Sequence, residues 1–327
     1  GWGYGNNYSP SIAAAPGAPA EGVYYTAVGS NASPYVTVYA QDAEVYTKIA
    51  DPAVLPTSTA FALAWNPDAS ILATVNSSTP FITAYSRSGS TLTKIADPAT
   101  LPTGNGRGTD FNDDGSLLAV AHLTTPYLSV YSVSGTTLTK NADPATLPVG
   151  NGYSAAFSAD GSMLAVGHST TPYVTVYTVS GTTLTKIANP ATLPTGAAYG
   201  VGFNGDGTQL SVAHSTTPFV TNYSISGTTL TKIADPAVLP TGGGQKSAFS
   251  DDGAFLAVGH ATLPFLTIYS VSGSTFTKLP DPGTLPPNRP SALAWSPGGG
   301  DYLTVTYPGG DNVTVYARSG TTFTKQT

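Results

Sequence analysis

The chain has 327 residues, of which only 9% are charged, with a net charge of −6 and no cysteine. Nucleic-acid binding needs clustered cations, so this composition argues against a nucleic-acid partner. The absence of cysteine excludes disulfides, thiolate metal sites and a cysteine nucleophile. No apolar run is long enough to predict a membrane span.

Residues 1–10 combine three aromatic side chains, Trp2, Tyr4 and Tyr8, with three glycines. Large aromatics are favoured anchors in interfaces. The sequence therefore predicts an N-terminal arm that docks onto another subunit or partner. The alternative is an arm that folds back over its own ring. Residues 11–327 form the second predicted unit.

That second unit is a tandem repeat with a period of 46 residues. A repeat of about 40 to 50 residues with several short β-runs is typical of a β-propeller blade. Tyrosines that end the third run of each unit predict seven blades, since only one extra residue interrupts their spacing. They are Tyr39, Tyr85, Tyr131, Tyr177, Tyr223, Tyr269 and Tyr316.

Each unit contains four short runs of β-branched and aromatic residues separated by turn residues. In the third unit the predicted strands are Arg107–Asn112, Ser116–His122, Tyr127–Val133 and Thr136–Asn141. No segment has a helical period. The predicted fold class is all-β, a seven-bladed β-propeller of four-stranded antiparallel blades.

The first unit departs from the repeat because Pro19 stands where the other units have an aromatic residue. We expect Ser11–Ala15 to supply the innermost strand of this blade, followed by a lengthened turn. Every blade would then be built from contiguous chain, and the ring would close without an exchanged strand.

Three segments resemble the repeat of the WD-repeat propellers: Phe249-Ser-Asp-Asp-Gly253, Leu256-Ala-Val-Gly259 and Val174-Thr-Val-Tyr177. The resemblance covers residues 11–327 and implies a binding platform without naming a partner. Where that family ends its third strand with Trp-Asp, this chain has pairs such as Tyr131-Ser, so the hydrogen-bond network of the family is not carried over.

The nearly identical, weakly charged repeats with Asp-Pro-Ala-Thr-Leu-Pro loops also resemble propellers encoded by bacteriophages. This resemblance implies a virion setting, which agrees with the composition.

All four histidines, His122, His168, His214 and His260, occupy one repeat position in consecutive blades. Imidazole is a common metal ligand, but equivalent positions in neighbouring blades are about a blade's width apart. The prediction is therefore structural: each histidine bonds to the neighbouring inter-blade loop. Neither a metal nor another cofactor is expected.

Other repeated residues also have structural interpretations. Loops such as Asn112-Asp-Asp-Gly115 suit hairpin turns better than calcium sites, because they offer too few oxygen ligands. The repeat lysines suit exposed strand edges. The aromatics that open each third strand suit inter-blade packing better than sugar stacking.

The sequence shows no catalytic set of serine, histidine and acid that is unique to one blade. It therefore favours a non-enzymatic structural or binding propeller outside a cell or on a particle, namely a bacteriophage capsid-decoration or tail protein. Its expected partners are other virion or surface proteins, with a host-surface glycan as a further candidate. The alternatives are an extracellular lectin and a hydrolase or lyase with a central-channel site, which would concentrate unique polar residues around the axis.

Overall fold

The computed structural model describes residues 12–14, 24–42, 45–296, 300–307 and 313–326. Within these residues the chain forms 28 strands in seven sheets, each of four strands in chain order. All strand pairs are antiparallel. The described part of the chain contains no helix, and so none that could cross a membrane. The predicted seven-bladed propeller is confirmed.

Blades are numbered 1 to 7 in chain order, and the innermost strand of each faces the central channel. These strands are β1 (Ile12–Ala14), β5 (Ala60–Trp65), β9 (Gly106–Phe111), β13 (Gly152–Phe157), β17 (Ala198–Phe203), β21 (Gly244–Phe249) and β25 (Ala292–Trp295).

The second strands are the most buried. They are β2 (Tyr24–Gly29), β6 (Ile71–Asn76), β10 (Leu117–His122), β14 (Met163–His168), β18 (Gln209–His214), β22 (Phe255–His260) and β26 (Tyr302–Thr306).

The third strands are β3 (Val36–Asp42), β7 (Ile82–Ser88), β11 (Leu128–Ser134), β15 (Val174–Ser180), β19 (Val220–Ser226), β23 (Leu266–Ser272) and β27 (Val313–Ser319). The outer strands are β4 (Val45–Lys48), β8 (Thr91–Lys94), β12 (Thr137–Lys140), β16 (Thr183–Lys186), β20 (Thr229–Lys232), β24 (Thr275–Lys278) and β28 (Thr322–Lys325).

The core lies between blades, because each second strand has both faces covered by neighbouring sheets. In β10 every residue is buried, and its small side chains Ala119 and Ala121 let the next blade approach. Each hydrophobic cluster therefore combines residues of two adjacent blades: one cluster joins Ala73 and Ile82 of blade 2 to Leu118 and Val120 of blade 3.

Tight turns join the strands of a blade. Gly115 in the β9–β10 turn and Gly135 in the β11–β12 turn have φ of 70° and 53°, a region that glycine enters without steric cost. Among the described residues, the turns between the second and third strands of blades 1 to 6 each contain a cis Ser-Pro, Thr-Pro or Leu-Pro bond followed by an aromatic residue with positive φ, such as Tyr127 with φ of 67°. Because Tyr127 has positive φ and so is not extended, the third strand of blade 3 begins at Leu128, one residue later than predicted.

Blade 1 closes the ring by itself. Its innermost strand, β1, pairs with β2 and lies within the segment expected from the sequence. β1 also contacts β5 of blade 2 and β25 of blade 7. Every blade is therefore built from contiguous chain.

Candidate functional site in the central channel

A β-bulge places one side chain of each middle blade into the channel. In blades 2 to 6 the pairing of the innermost strand with its neighbour slips by one residue near its start, as between Gly106 and Gly108 in blade 3. A bulged residue is released from the sheet pairing, so a bulge re-aims its side chain. The bulged residues are Phe61, Arg107, Tyr153, Tyr199 and Gln245.

All five bulged side chains line one cavity of about 140 Å³ in the channel. The remaining lining residues are Lys246, which follows a bulge, and Pro290 and Ser291 before β25. The cavity wall thus comes from six blades, and its composition is mixed: two cations, three aromatics and neutral polar groups.

Arg107 is held by an aromatic ring of the neighbouring blade. Its guanidinium carbon lies 3.9 Å from the ring centroid of Phe61. A cation over an aromatic face gains about 0.5–2 kcal/mol, more where water is excluded. This contact holds the guanidinium at the cavity wall.

Lys246 supplies the second cation. Its ammonium donates a hydrogen bond to the Tyr199 carbonyl oxygen at 3.3 Å. Burial, together with the positive charge of Arg107, lowers the pKa of Lys246 to about 8. Because the repeat has Ala62, Gly108 and Gly200 at this position in other blades, the lysine is specific to blade 6.

The two bulged tyrosines form an aromatic wall. The ring centroids of Tyr153 and Tyr199 are 5.2 Å apart, with the rings tilted by 47°. Aromatic pairs prefer such offset or tilted arrangements. Both rings are partly exposed to the channel.

Asp110 lies farther along the same strand as Arg107. The two residues are three positions apart, about 10 Å at the usual rise of a strand. Its Oδ2 accepts a hydrogen bond of 2.7 Å from the backbone N–H of Phe157 in the next blade. Burial raises the pKa of Asp110 to about 7, against the opposing effect of hydrogen bonds from the Phe157 and Phe111 N–H groups. The carboxyl group can therefore exchange a proton near neutral pH.

The sequence interpretation missed this set, although a signal for it was present. Within an otherwise uniform repeat, the bulge position reads Phe, Arg, Tyr, Tyr, Gln and Ser from blade 2 to blade 7. The position of Asp110 is Ala or Gly in each of these other blades. Variation at the innermost-strand positions that face a shared space indicates residues that serve a site and not the packing.

The four histidines lie away from this cavity, at the ends of the second strands. Each Nε2 is 2.9–3.1 Å from a hydroxyl on the third strand of the same blade, His168 with Thr175 for example. In two blades, Nδ1 also lies 3.4–3.5 Å from a threonine of the inter-blade loop, as for His214 with Thr195. Burial lowers the pKa of all four to about 4.

No group of three or more metal-ligating side chains occurs among the described residues. The structural role of the histidines stays a prediction. The arm of residues 1–10, with Trp2, Tyr4 and Tyr8, lies outside the described residues, and its docking role also stays a prediction.

The remaining repeat features have partners of their own. Asp114 accepts a hydrogen bond from the Ser116 backbone N–H at 2.8 Å within its hairpin turn. Lys232 pairs with Asp235 of the following inter-blade loop at 2.5 Å. These groups serve turns and loops far from the channel cavity.

No protein-family model matches the chain, and no curated protein matches it in sequence. Solved structures do match its fold. The periplasmic gluconolactonase PpgL of Pseudomonas aeruginosa matches with a TM-score of 0.69 and 19% identity, over 91% of this chain and 93% of that one. A candidate 6-phosphogluconolactonase of Bacteroides fragilis matches with a TM-score of 0.70 and 15% identity, over 93% of both chains.

Sqt1 of Chaetomium thermophilum, a WD-repeat propeller, matches with a TM-score of 0.67 and 17% identity, over 96% of this chain and 83% of that one. The resemblance to WD-repeat propellers is therefore confirmed as a resemblance of fold. At these identities the matches establish the fold and no activity.

The prediction of a non-enzymatic virion protein is wrong, because lactonases are among the structures that match the fold over nearly the whole chain. The premise of that prediction is also wrong. It assumed that the repeat carries no asymmetry suited to catalysis, whereas Arg107, Asp110 and Lys246 each break the repeat on the strands that surround the axis.

Proposed function

We propose that the protein is a hydrolase whose active site is the central channel and whose substrate is a small sugar-derived lactone. The observation that carries the proposal is that three charged residues absent from the equivalent positions of the other blades, Arg107, Asp110 and Lys246, all lie on innermost strands. The lactonases of the same fold supply the substrate class.

Asp110 is the proton acceptor in this proposal. A general base works best with a pKa near the working pH, and the pKa of Asp110 is about 7. A carboxylate has about four acceptor positions, so the bond from Phe157 leaves capacity for a water molecule in the channel. The carboxylate takes a proton from that water as its oxygen attacks the lactone carbonyl. The ring C–O bond then breaks, and the ring oxygen leaves as a hydroxyl after gaining a proton.

The test is hydrolysis of glucono-δ-lactone, followed by titration of the acid released and corrected for the spontaneous reaction. Loss of a general base costs about 10²–10⁴ in rate, so Asp110→Asn should lose at least about 100-fold. The rate of the unaltered protein should rise with pH through about 7.

Asp206→Asn is the matched control, because Asp206 is a hairpin-turn carboxylate bonded to the Thr208 N–H and lies outside the channel. It should leave turnover unchanged. Absence of turnover for δ- and γ-lactones of sugar acids, or full activity in Asp110→Asn, would show that the proposal is wrong.

A further inference from the structure

We infer that Arg107 and Lys246 form an oxyanion-binding subsite that takes a carboxylate or phosphate group of the channel ligand. The inference also places the ligand's ring against Tyr153 and Tyr199. It rests on the proposed function for the use of this ligand as a substrate, but the binding itself can be measured without turnover.

The first argument is the juxtaposition of two like charges. Arg107 comes from blade 3 and Lys246 from blade 6, yet both line the same cavity and the arginine lowers the pKa of the lysine. Holding two cations close together in a partly desolvated cavity costs free energy. An anion between them removes that cost and gains two charge-assisted hydrogen bonds.

The second argument is the number of the donors. The guanidinium is a planar fork that suits a carboxylate or a phosphate, and it lines the cavity beside the Phe61 ring. The ammonium of Lys246 has three donors, one of which is used by the Tyr199 carbonyl oxygen. Two donors of the lysine therefore stay available for a ligand.

The third argument concerns the remainder of the ligand. The tilted Tyr153–Tyr199 pair borders the same cavity as the cations. An aromatic wall beside a charged subsite suits a molecule with one anionic end and an apolar ring face. A sugar lactone that also carries a phosphate or a second carboxylate has both features, and its lactone carbonyl can extend along β9 towards Asp110 while the anionic group stays at the cations.

The experiment measures binding by calorimetry with gluconate, inorganic phosphate and neutral glucose as probes. Gluconate, a hydrolysis product, cannot be turned over as a lactone. We expect gluconate to bind at least 10-fold more tightly than glucose. Lys246→Met and Arg107→Met should each weaken gluconate binding at least 10-fold. Phosphate binding that depends on the same residues would assign the subsite to phosphate esters as well, and a lack of it would restrict the subsite to carboxylates.

Lys140→Met is the matched control, because Lys140 is an outer-strand lysine that pairs with Asp143. It should bind gluconate as the unaltered protein does. If Lys246→Met lowers the melting temperature, Lys246→Arg serves instead and should retain binding.

Equal binding of glucose and gluconate, or unchanged gluconate binding in both methionine variants, would overturn the inference. The two proposals fail separately. Anion binding without lactone turnover would contradict only the hydrolase, whereas lactone turnover by a protein that binds neither gluconate nor phosphate would contradict only the subsite.

Discussion

At the scale of single residues, one polar contact is repeated with different side chains. The last residue of the second strand, or the one after it in blade 7, bonds to a hydroxyl on the third strand in each of blades 2 to 7. The pairs are Asn76–Thr83, His122–Ser129, His168–Thr175, His214–Thr221, His260–Thr267 and Tyr307–Thr314. Asparagine, histidine and tyrosine fill the same role, which favours a structural function because buried polar groups need partners.

Substitution of His168 tests that role. His168→Ala leaves the Thr175 hydroxyl without this partner and opens a cavity, so we expect a loss of about 2–4 kcal/mol in the free energy of unfolding. His168→Asn should lose less, because Asn76 makes the equivalent bond in blade 2. Thermal and urea unfolding measure the stability loss of each variant. A protein-bound metal ion that is lost in His168→Ala would contradict the structural assignment.

The same histidines predict how stability depends on pH. Their pKa is about 4 in the folded state, below the ordinary value of 6.5, so between these values the unfolded chain binds more protons. Stability should therefore fall as the pH is lowered from about 6.5 to 4. The stability difference between the unaltered protein and His168→Asn should narrow over that interval, and an unchanged difference would contradict the prediction.

Asp110 makes stability depend on pH in the opposite direction to the histidines. Its folded-state pKa is raised from 3.8 to about 7, so the ionised carboxylate destabilises the fold as the pH rises through that interval. Asp110→Asn keeps an acceptor for the Phe157 N–H without the charge. At pH 8 it should be more stable by roughly 1–2 kcal/mol, less than ~1.4 kcal/mol per pKa unit because the Asp110 side chain is only partly buried.

This gain should disappear at pH 4 and should accompany the loss of lactone turnover. Melting temperatures of the two proteins from pH 4 to 8 measure it. Equal stability of the variant at both ends of this range would indicate that the carboxylate is already well solvated.

At the scale of elements, a tyrosine in each of blades 2 to 7 forms a hydrogen bond to the inter-blade loop that precedes it. In blades 2 to 7 the phenol of the third-strand tyrosine donates to a backbone carbonyl in the preceding inter-blade loop, as Tyr177 does to Thr146 at 2.8 Å. These rings are fully buried. The tyrosines that count the blades in the sequence are therefore also the residues that hold the blades together.

Tyr177→Phe should cost about 1–2 kcal/mol, because it removes the phenol and leaves the Thr146 carbonyl without this bond. Tyr223→Phe should cost a similar amount in its own blade, and the double variant should be additive within about 0.5 kcal/mol. Urea unfolding of the three variants measures this. Lys48→Met, which removes an exposed ion pair with Asp51, is the control and should change stability by less than about 1 kcal/mol.

Sequence periodicity was sufficient to place the elements but not the site. The strands of blade 3 lie within about one residue of their predicted bounds, because turn glycines and β-branched runs specify them locally. The cavity depends on bulges and on which blades face one another across the axis. Arg107 and Lys246 are 139 positions apart in the chain, and only the closed ring brings them to the same cavity.

At the scale of the whole molecule, the residues that pack the blades together and the residues that line the cavity lie on different strands. The second and third strands repeat nearly the same residues, because every blade interface has the same shape to fill. The innermost strands face one shared space, so each can carry a different side chain without disturbing another interface. A symmetric scaffold thereby supports an asymmetric cavity.

Closure of the ring depends on the three residues of β1, which predicts a sharp limit to N-terminal truncation. Deletion of residues 1–14 removes β1, leaves blade 1 with three strands and opens the edge of β2, whose residues Ala27 and Val28 are buried in the intact ring. We expect the melting temperature to fall by about 5–10 °C, as a loss of a few kcal/mol would produce. Deletion of residues 1–10 spares β1 and should leave the melting temperature within about 2 °C of the unaltered protein. Equal melting temperatures for the two truncations would show that β1 does not contribute to closure.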